Sequence, residues 1–417
     1  MTPAPANAAT TDDTIPDTAA STVEFVSATN YAGGSELQPA SLNVDLGAYR
    51  NWVRTLESAG FDYTLNGYSA GSADSFIVAT ATGQLTQRLK PIVALRPNTV
   101  FPLVAAQSLA TLDQLTEGRA VVHLISGSSD VEQARQGDYL PKDDRYARTS
   151  EYIDLLRRAW TETEPFSFEG RFYRFDDFGP GFRTYSGEPV PISIGGSSDA
   201  AFEVGGAKAD WFTFWGEPLA EVRTEIDRVH AIADRVGRAR QNIWVTFRPI
   251  VAETDAQAWE KAYQVLAVLT DRFKDGTTAP QRFARMFGTT PPQNKGAQRA
   301  LGFAAASEHY DRALWTPTAS ATNGAGASTA LVGSYQTVAA AILDYVDAGA
   351  SIVSIRGYEG IADIEKYGEF VLPLVRAELE HRRATGRRGR LQREHLGYGD
   401  PEFLAAHDAA AQAGVAA

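Results

Sequence analysis

The 417-residue chain contains no cysteine, which removes disulfides, thiolate metal ligands and cysteine nucleophiles at once. It also lacks any apolar stretch approaching the roughly 18–20 residues that span a bilayer. Residues 1–21 are rich in Ala, Thr, Pro and Asp, with neither a basic start nor an apolar middle. They read as a disordered leader, not a secretory signal. The 39 Lys and Arg fall short of the 51 Asp and Glu, and the resulting net charge of −12 argues against nucleic acid or an anionic membrane as partner. These absences predict a cytoplasmic protein. No carboxylate–histidine cluster has metal-ligand spacing, so no metal is expected. There is no GxSxG elbow or Ser–His–Asp arrangement, and no GxGxxG between the first strand-like run and its helix.

What the chain does have is alternation. Eight apolar or β-branched runs stand out: Val23–Asn30, Phe61–Gly67, Lys90–Pro97, Ala120–Gly127, Val190–Gly196, Ala209–Gly216, Ile243–Glu253 and Ser351–Tyr358. Segments of helical period lie between them, including Leu46–Ala59, Pro102–Thr116, Arg145–Thr161, Pro218–Val236, Ala256–Leu269 and Thr337–Ala348. Near-continuous apolar strands separated by helices indicate an α/β fold with a parallel sheet covered on both faces. Eight such units predict a closed TIM (β/α)8 barrel over residues 22–380, with a doubly wound open sheet as the alternative. Residues 271–334, rich in Gly, Ala, Thr, Pro and Gln, form a long insertion that reads as a lid. Residues 381–417 form a C-terminal tail whose basic run His381–Arg393 reads as a solvated face.

The most specific stretch is PISIGGSSD at Pro191–Asp199, followed by helix-forming residues. Two glycines allow a tight turn and close approach to a ligand, and the serines fall where a helix begins. Free N–H groups and the positive helix end there suit a phosphate, although an ordinary turn and N-cap uses the same residues. In a barrel the site is built from strand C-termini. Those ends carry Thr29, Asn30, Asn66, Arg96, His123, Ser126, Ser128, Ser197, Ser198, Trp215, Arg248 and Tyr358. His123 is equally readable as a hydrogen-bonded core residue, and Tyr146 as a tyrosine packing its helix. Such a set holds a large polar ligand and supplies no nucleophile of its own, which points to an organic cofactor.

Several runs together resemble the bacterial luciferase-like flavin monooxygenases. They are PLVAAQSLATLDQLTEGRAVVHLISGS, DDRYARTSEYIDLLRRAW, FSFEGRFYRF, ISIGGSSD, WFTFWGEP, STALVG and GYEGIADIEKYGEFVLPLV. The chain is most similar to the alkanesulfonate monooxygenases, with some likeness to the dimethylsulfone monooxygenases, over about Val23–Glu378. The resemblance implies a TIM barrel, reduced FMN delivered by a separate NAD(P)H-dependent reductase, and O2-dependent cleavage of a carbon–sulfur bond. It puts the cofactor phosphate on Ser197, Ser198 and Tyr146, with Ser126 and Ser128 at the family's Thr-Gly-Ser. Ser126, His123 and Asn66 would hydrogen-bond the isoalloxazine edge, and Trp215 stands at the tryptophan of TWGEP. Arg248 would stabilise developing negative charge, and Tyr358 would be the proton donor. A homodimer or homotetramer is expected.

The substrate positions depart from the family. Its active-site cysteine falls on Ser72 and its early histidine on Asn30. Its seventh-strand Arg-Leu-His becomes Thr246-Phe247-Arg248, its lid arginine has no counterpart between Trp315 and Thr329, and its last histidine is Gly360. A trigonal sulfonate is best held by forked guanidinium donors. The losses therefore leave a sulfonate, a sulfone or another heteroatom compound open as substrate. A deazaflavin-dependent oxidoreductase and a non-enzymatic flavin-binding protein are the competing functions.

Overall fold

Eight short parallel strands close into a barrel: β1 (Glu24–Ala28), β2 (Tyr63–Asn66), β3 (Lys90–Leu95), β4 (Val121–Leu124), β5 (Ile192–Gly195), β6 (Trp211–Trp215), β7 (Asn242–Phe247) and β8 (Ala350–Ile355). Each pairs with its neighbour in sequence order, and β8 returns to β1 through the register Glu24↔Ile352. Six fall within the runs read from the sequence, and β7 and β8 begin one residue before theirs. The computed structural model describes residues 14–37, 43–127, 129–274, 292–324 and 329–395.

The strands form here because both faces are buried. Val26, Tyr63, Ile92, Val121, Trp211, Trp244 and Ile352 fill the barrel interior, with Trp211 edge-on to Tyr63 at 5.1 Å between ring centroids. Outward-facing residues of the same strands, such as Phe25, Val93, Val122 and Phe212, join a larger core under the helices. Side-chain oxygens mark several helix starts: Asp45 accepts from the Ala48 amide, Asp74 from Ile77 and Ser334 from Thr337.

Three parts of the sequence reading change. The seventh run divides at Arg248-Pro249, where β7 ends; Ile250–Ala252 leaves the barrel and pairs in parallel with Ala330–Ser334. Proline has no N–H to continue a ladder, which accounts for the break. The insertion read as a lid has secondary structure of its own among the described residues. It holds the helix Lys295–Ala306 and adds Leu314–Trp315 and His309–Tyr310 to the side sheet. Trp315 is fully buried against Trp259, Val265, Ile250 and Tyr358.

The boundaries at both ends also move. Within the segment read as a leader, Thr18 donates to the carbonyl of Asp347 (2.6 Å) and the Ala20 amide to that of Val346 (3.0 Å). The Leu372–Thr385 helix runs through residue 380. The basic run after it is partly buried, because Arg382 and Arg388 both bond the Asp347 carboxylate, at 2.7 and 2.8 Å. Glu378 and Gln392 complete the cluster. A carboxylate in that position offsets two guanidinium groups, and its removal strands them. Asp347→Ala should destabilise the fold by about 3–5 kcal/mol, measured by denaturant unfolding.

Candidate active site

The loop after β5 brings its backbone into close approach with neighbouring side chains. Gly196 has a φ of +148°, and a Cβ there would lie 2.5 Å from the Tyr146 hydroxyl and 2.8 Å from the Ala201 methyl. Only glycine fits. Ser198 then caps the Asp199–Lys208 helix, its oxygen accepting from the Ala201 amide at 3.4 Å. Tyr146 comes from the Lys142–Thr161 helix; it is buried beside Ser198 and donates to the Gly195 carbonyl at 3.4 Å. Burial pushes its phenol up to about 12, so it stays protonated and available as a donor. Tyr146, Ser197 and Ser198 are thus brought together at a helix start.

Cationic groups face this start. Burial holds the Lys142 ammonium below the ordinary lysine range, and nearby Lys295 and Arg145 push the same way. Lys295 lies 3.8 Å from Asp199, the first helical residue. An anion here would relieve the repulsion among the cations and meet the helix N–H groups. The residues present therefore suit a phosphate such as that of FMN. Arg145 itself is spent on structure: it donates to the carbonyls of Ser126 (2.8 Å) and Leu140 (2.7 Å) and pairs with Asp130 (2.8 Å).

The insertion helix covers the same corner. Asn294 caps it through the Ala297 amide at 2.7 Å. A Cβ on Gly296 would lie 3.2 Å from the Ser197 hydroxyl and 3.3 Å from the Trp215 ring, so the helix rests on both residues. Arg299 fastens it to Glu217 in the loop after β6 (2.9 and 3.0 Å) and to Glu221 in the helix that follows (3.3 Å). Gln293 accepts from the Asp130 amide at 2.8 Å, tying the insertion to the loop after β4.

His123 points into the barrel, its Nδ1 2.9 Å from the Ser193 hydroxyl, which is 3.1 Å from that of Thr213. Burial lowers its pKa to about 4. The imidazole is therefore neutral at pH 7 and offers hydrogen bonding instead of charge.

Several expected ligands are engaged elsewhere. Asn66 is a buried strut: its oxygen accepts from Thr29 (2.9 Å) and its nitrogen donates to Ile92 O (3.2 Å), which replaces the expected flavin-edge contact. The Ser126 hydroxyl pairs with that of Thr149 at 2.9 Å. Ser72 closes its own turn through Ser69, and Asn30 closes another through Gly33 O (3.0 Å) and the Ala32 amide (3.1 Å). Ser128 lies outside the described residues.

At the ends of β7 and β8 the arrangement differs most from expectation. Arg248 is buried and stacks at 4.1 Å on the Tyr358 ring. Tyr358 is itself buried, packed in the same cluster as Trp315 of the insertion. The phenol expected to donate a proton instead forms the floor beneath Arg248. Glu36, from the loop after β1, bonds both Arg248 and Arg356. Neither Glu36 nor Arg356 stands out in the sequence reading. Ile352, Ser354 and Arg356 alternate along one face of β8, and that period could have revealed the arginine. Glu36 leaves no comparable local signal. Gly360 has a φ of +70°, and a Cβ there would lie 2.6 Å from the Gly34 carbonyl, so the family histidine cannot be accommodated at this position.

The lowered His123 pKa sets a pH dependence. The unfolded chain takes up a proton near pH 6.5 that the folded chain resists until about 4. His123 therefore contributes stability above pH 6.5 that is lost as pH falls toward 4. His123→Gln should flatten that acid limb by about 2–3 kcal/mol, read as the difference in urea unfolding between pH 7 and pH 4.5.

Solved structures share the architecture. A riboflavin lyase (RcaE) crystallised with modified FMN and riboflavin superposes with a TM-score of 0.70 at 20% identity, covering 91% of this chain and 94% of that one. The EDTA monooxygenase EmoA from Chelativorans sp. BNC1 gives 0.65 at 16% identity, over 85% and 94% of the two chains. A coenzyme F420-dependent tetrahydromethanopterin reductase from Methanopyrus kandleri gives 0.61 at 16% identity, over 84% and 99%. At these identities the likeness speaks for the fold. The sequence profile of the luciferase-like monooxygenases, in contrast, matches residues 23–351, from the first barrel strand to the start of the last. The chain belongs to the luciferase-like monooxygenase family.

Proposed function

We propose that the protein is a two-component monooxygenase using O2 and reduced FMN from a separate NAD(P)H-dependent reductase. Its substrate is a small organosulfur compound of sulfonate or sulfone type, from which a carbon–sulfur bond is cleaved. The reading includes a cytoplasmic setting and assembly as a homodimer or homotetramer. One observation carries it: Tyr146, Gly196 and Ser198 meet at the start of the Asp199–Lys208 helix, beside Lys142 and Lys295.

FMN bound there would supply the redox chemistry with oxygen. The chain's own residues bind, orient and seal. Ser197, Ser198 and the helix N–H groups would hold the phosphate, with Tyr146 as a neutral donor and Lys142 as a counter-charge. Trp215 would wall the mouth, since the insertion helix already rests on its ring. The Arg299–Glu217 pair keeps that helix down, and a covered mouth excludes water. His123 would supply a neutral hydrogen-bonding group, and Arg248 would stabilise negative charge developing on a substrate oxygen.

A second reading, hydride transfer with a deazaflavin, is favoured by the fold shared with the F420-dependent reductase. Oxygen uptake with supplied FMNH2, above the rate of spontaneous reoxidation and dependent on a sulfonate or sulfone that releases sulfite or sulfinate, supports the monooxygenase. Oxygen-independent turnover of a reduced deazaflavin supports the reductase instead.

The phosphate assignment has its own test. Gly196→Ala should weaken FMN binding at least tenfold, because the new methyl drives Tyr146 off the loop. Tyr146→Phe should weaken it about 5–10-fold, the value of one hydrogen bond. Both are read by flavin fluorescence titration with the circular dichroism spectrum unchanged. Unaltered FMN affinity in both variants would remove the phosphate from this loop.

A further inference from the structure

The reading above uses Arg248 but leaves Arg356 and Glu36 without a task. These three residues follow strands that are consecutive around the barrel: β7, β8 and β1. The Glu36 carboxylate places one oxygen on each guanidinium, as a bound carboxylate ligand would. Arg248 also reaches the Gly357 carbonyl at 3.3 Å, while its Nε is buried without a hydrogen-bond partner among the described residues. Two cations against one anion leave the cluster with a net positive charge.

The two arginines and the glutamate differ in how firmly they are held. Arg248 is fixed from below by the Tyr358 ring, and its side chain is only 11% exposed. Glu36 is 28% exposed and sits on a loop that turns through two glycines at positive φ, Gly33 (+71°) and Gly34 (+78°). That loop touches the end of β8 through the Glu36 amide, which donates to the Tyr358 carbonyl at 2.9 Å. Arg248 is thus the fixed part of the receptor, Arg356 reaches in from the strand end with its side chain half exposed, and the loop supplies a carboxylate that can leave them.

Resting on the reading of the barrel mouth as the reaction site, we propose that Arg248 and Arg356 form a subsite for a substrate carboxylate. Glu36 is its built-in occupant, displaced when substrate enters. The carboxylate is a recognition group held beside the group that is oxidised, so that Arg248 can serve both. A tethered occupant competes at high effective concentration, so simple carboxylates bind the unmodified protein weakly. Arg356 thereby supplies the second guanidinium that the substitution at Thr246 takes away.

The test titrates the full-length protein, without flavin, by calorimetry with propionate, propionamide and 1-propanesulfonate. Glu36→Gln is expected to bind propionate at least tenfold more tightly than the unmodified protein, with no gain for propionamide. The added substitution Arg356→Gln should abolish that gain. Glu36→Asp, which keeps the charge but shortens the reach, should give an intermediate gain and serves if the glutamine variant does not fold. No gain for propionate, or a gain that survives loss of Arg356, overturns the proposal. Tighter binding of propanesulfonate than of propionate to Glu36→Gln overturns the carboxylate assignment. Because no flavin is present, failure here is distinct from failure of the FMN titration.

Discussion

Glu24–Ala28 pairs on one edge with Ala350–Ile355 and on the other with Tyr63–Asn66, and this closure brings distant parts of the chain to one mouth. Without it, Glu36 and Arg356 would be separated by more than three hundred residues with nothing to join them. Closure has a packing requirement: Trp211, Trp244 and Tyr63 must fill the interior, because a small barrel of this kind is a core and not a pore. The chemistry is accordingly confined to the loops above the strands.

Those loops are fixed by few but specific contacts. Gly196 exists so that Tyr146 can reach the start of a helix, and Gly360 so that the β1 loop can lie against the β8 loop. Each lacks a side chain for a neighbour's sake. The insertion is held down by charge, with Arg299 facing three glutamates, Glu217, Glu221 and Glu225. The phosphate corner and the arginine pair are therefore assembled by different segments and can change independently.

The barrel was legible because strands buried on both faces produce unbroken apolar runs, and all eight runs became strands. The turn and helix start at Gly196–Ser198 were legible because glycine pairs and helix-capping serines have a local cause. The partners of Asn66 and Ser126 were not legible for a physical reason: a polar residue at a strand end can turn toward solvent or bond a neighbour, and only the fold decides. Asn66 found Thr29 and Ile92; Ser126 found Thr149. Tyr358 was misread because its stacking on Arg248 depends on the insertion packing behind it. Glu36 could not be read at all, since its partners come from the far end of the chain. Arg382 and Arg388 looked solvated because Asp347, their shared carboxylate, belongs to a preceding helix.

Asp347 also organises the molecule at a larger scale. It lies three residues before β8 begins, and both Thr18 near one end of the described chain and Arg382, Arg388 and Gln392 near the other are bonded to it. Arg356 follows the opposite end of that strand, about 20 Å away at roughly 3.3 Å per residue. Changes made at the Asp347 cluster should thus leave the mouth approachable, since the whole length of the strand lies between the two.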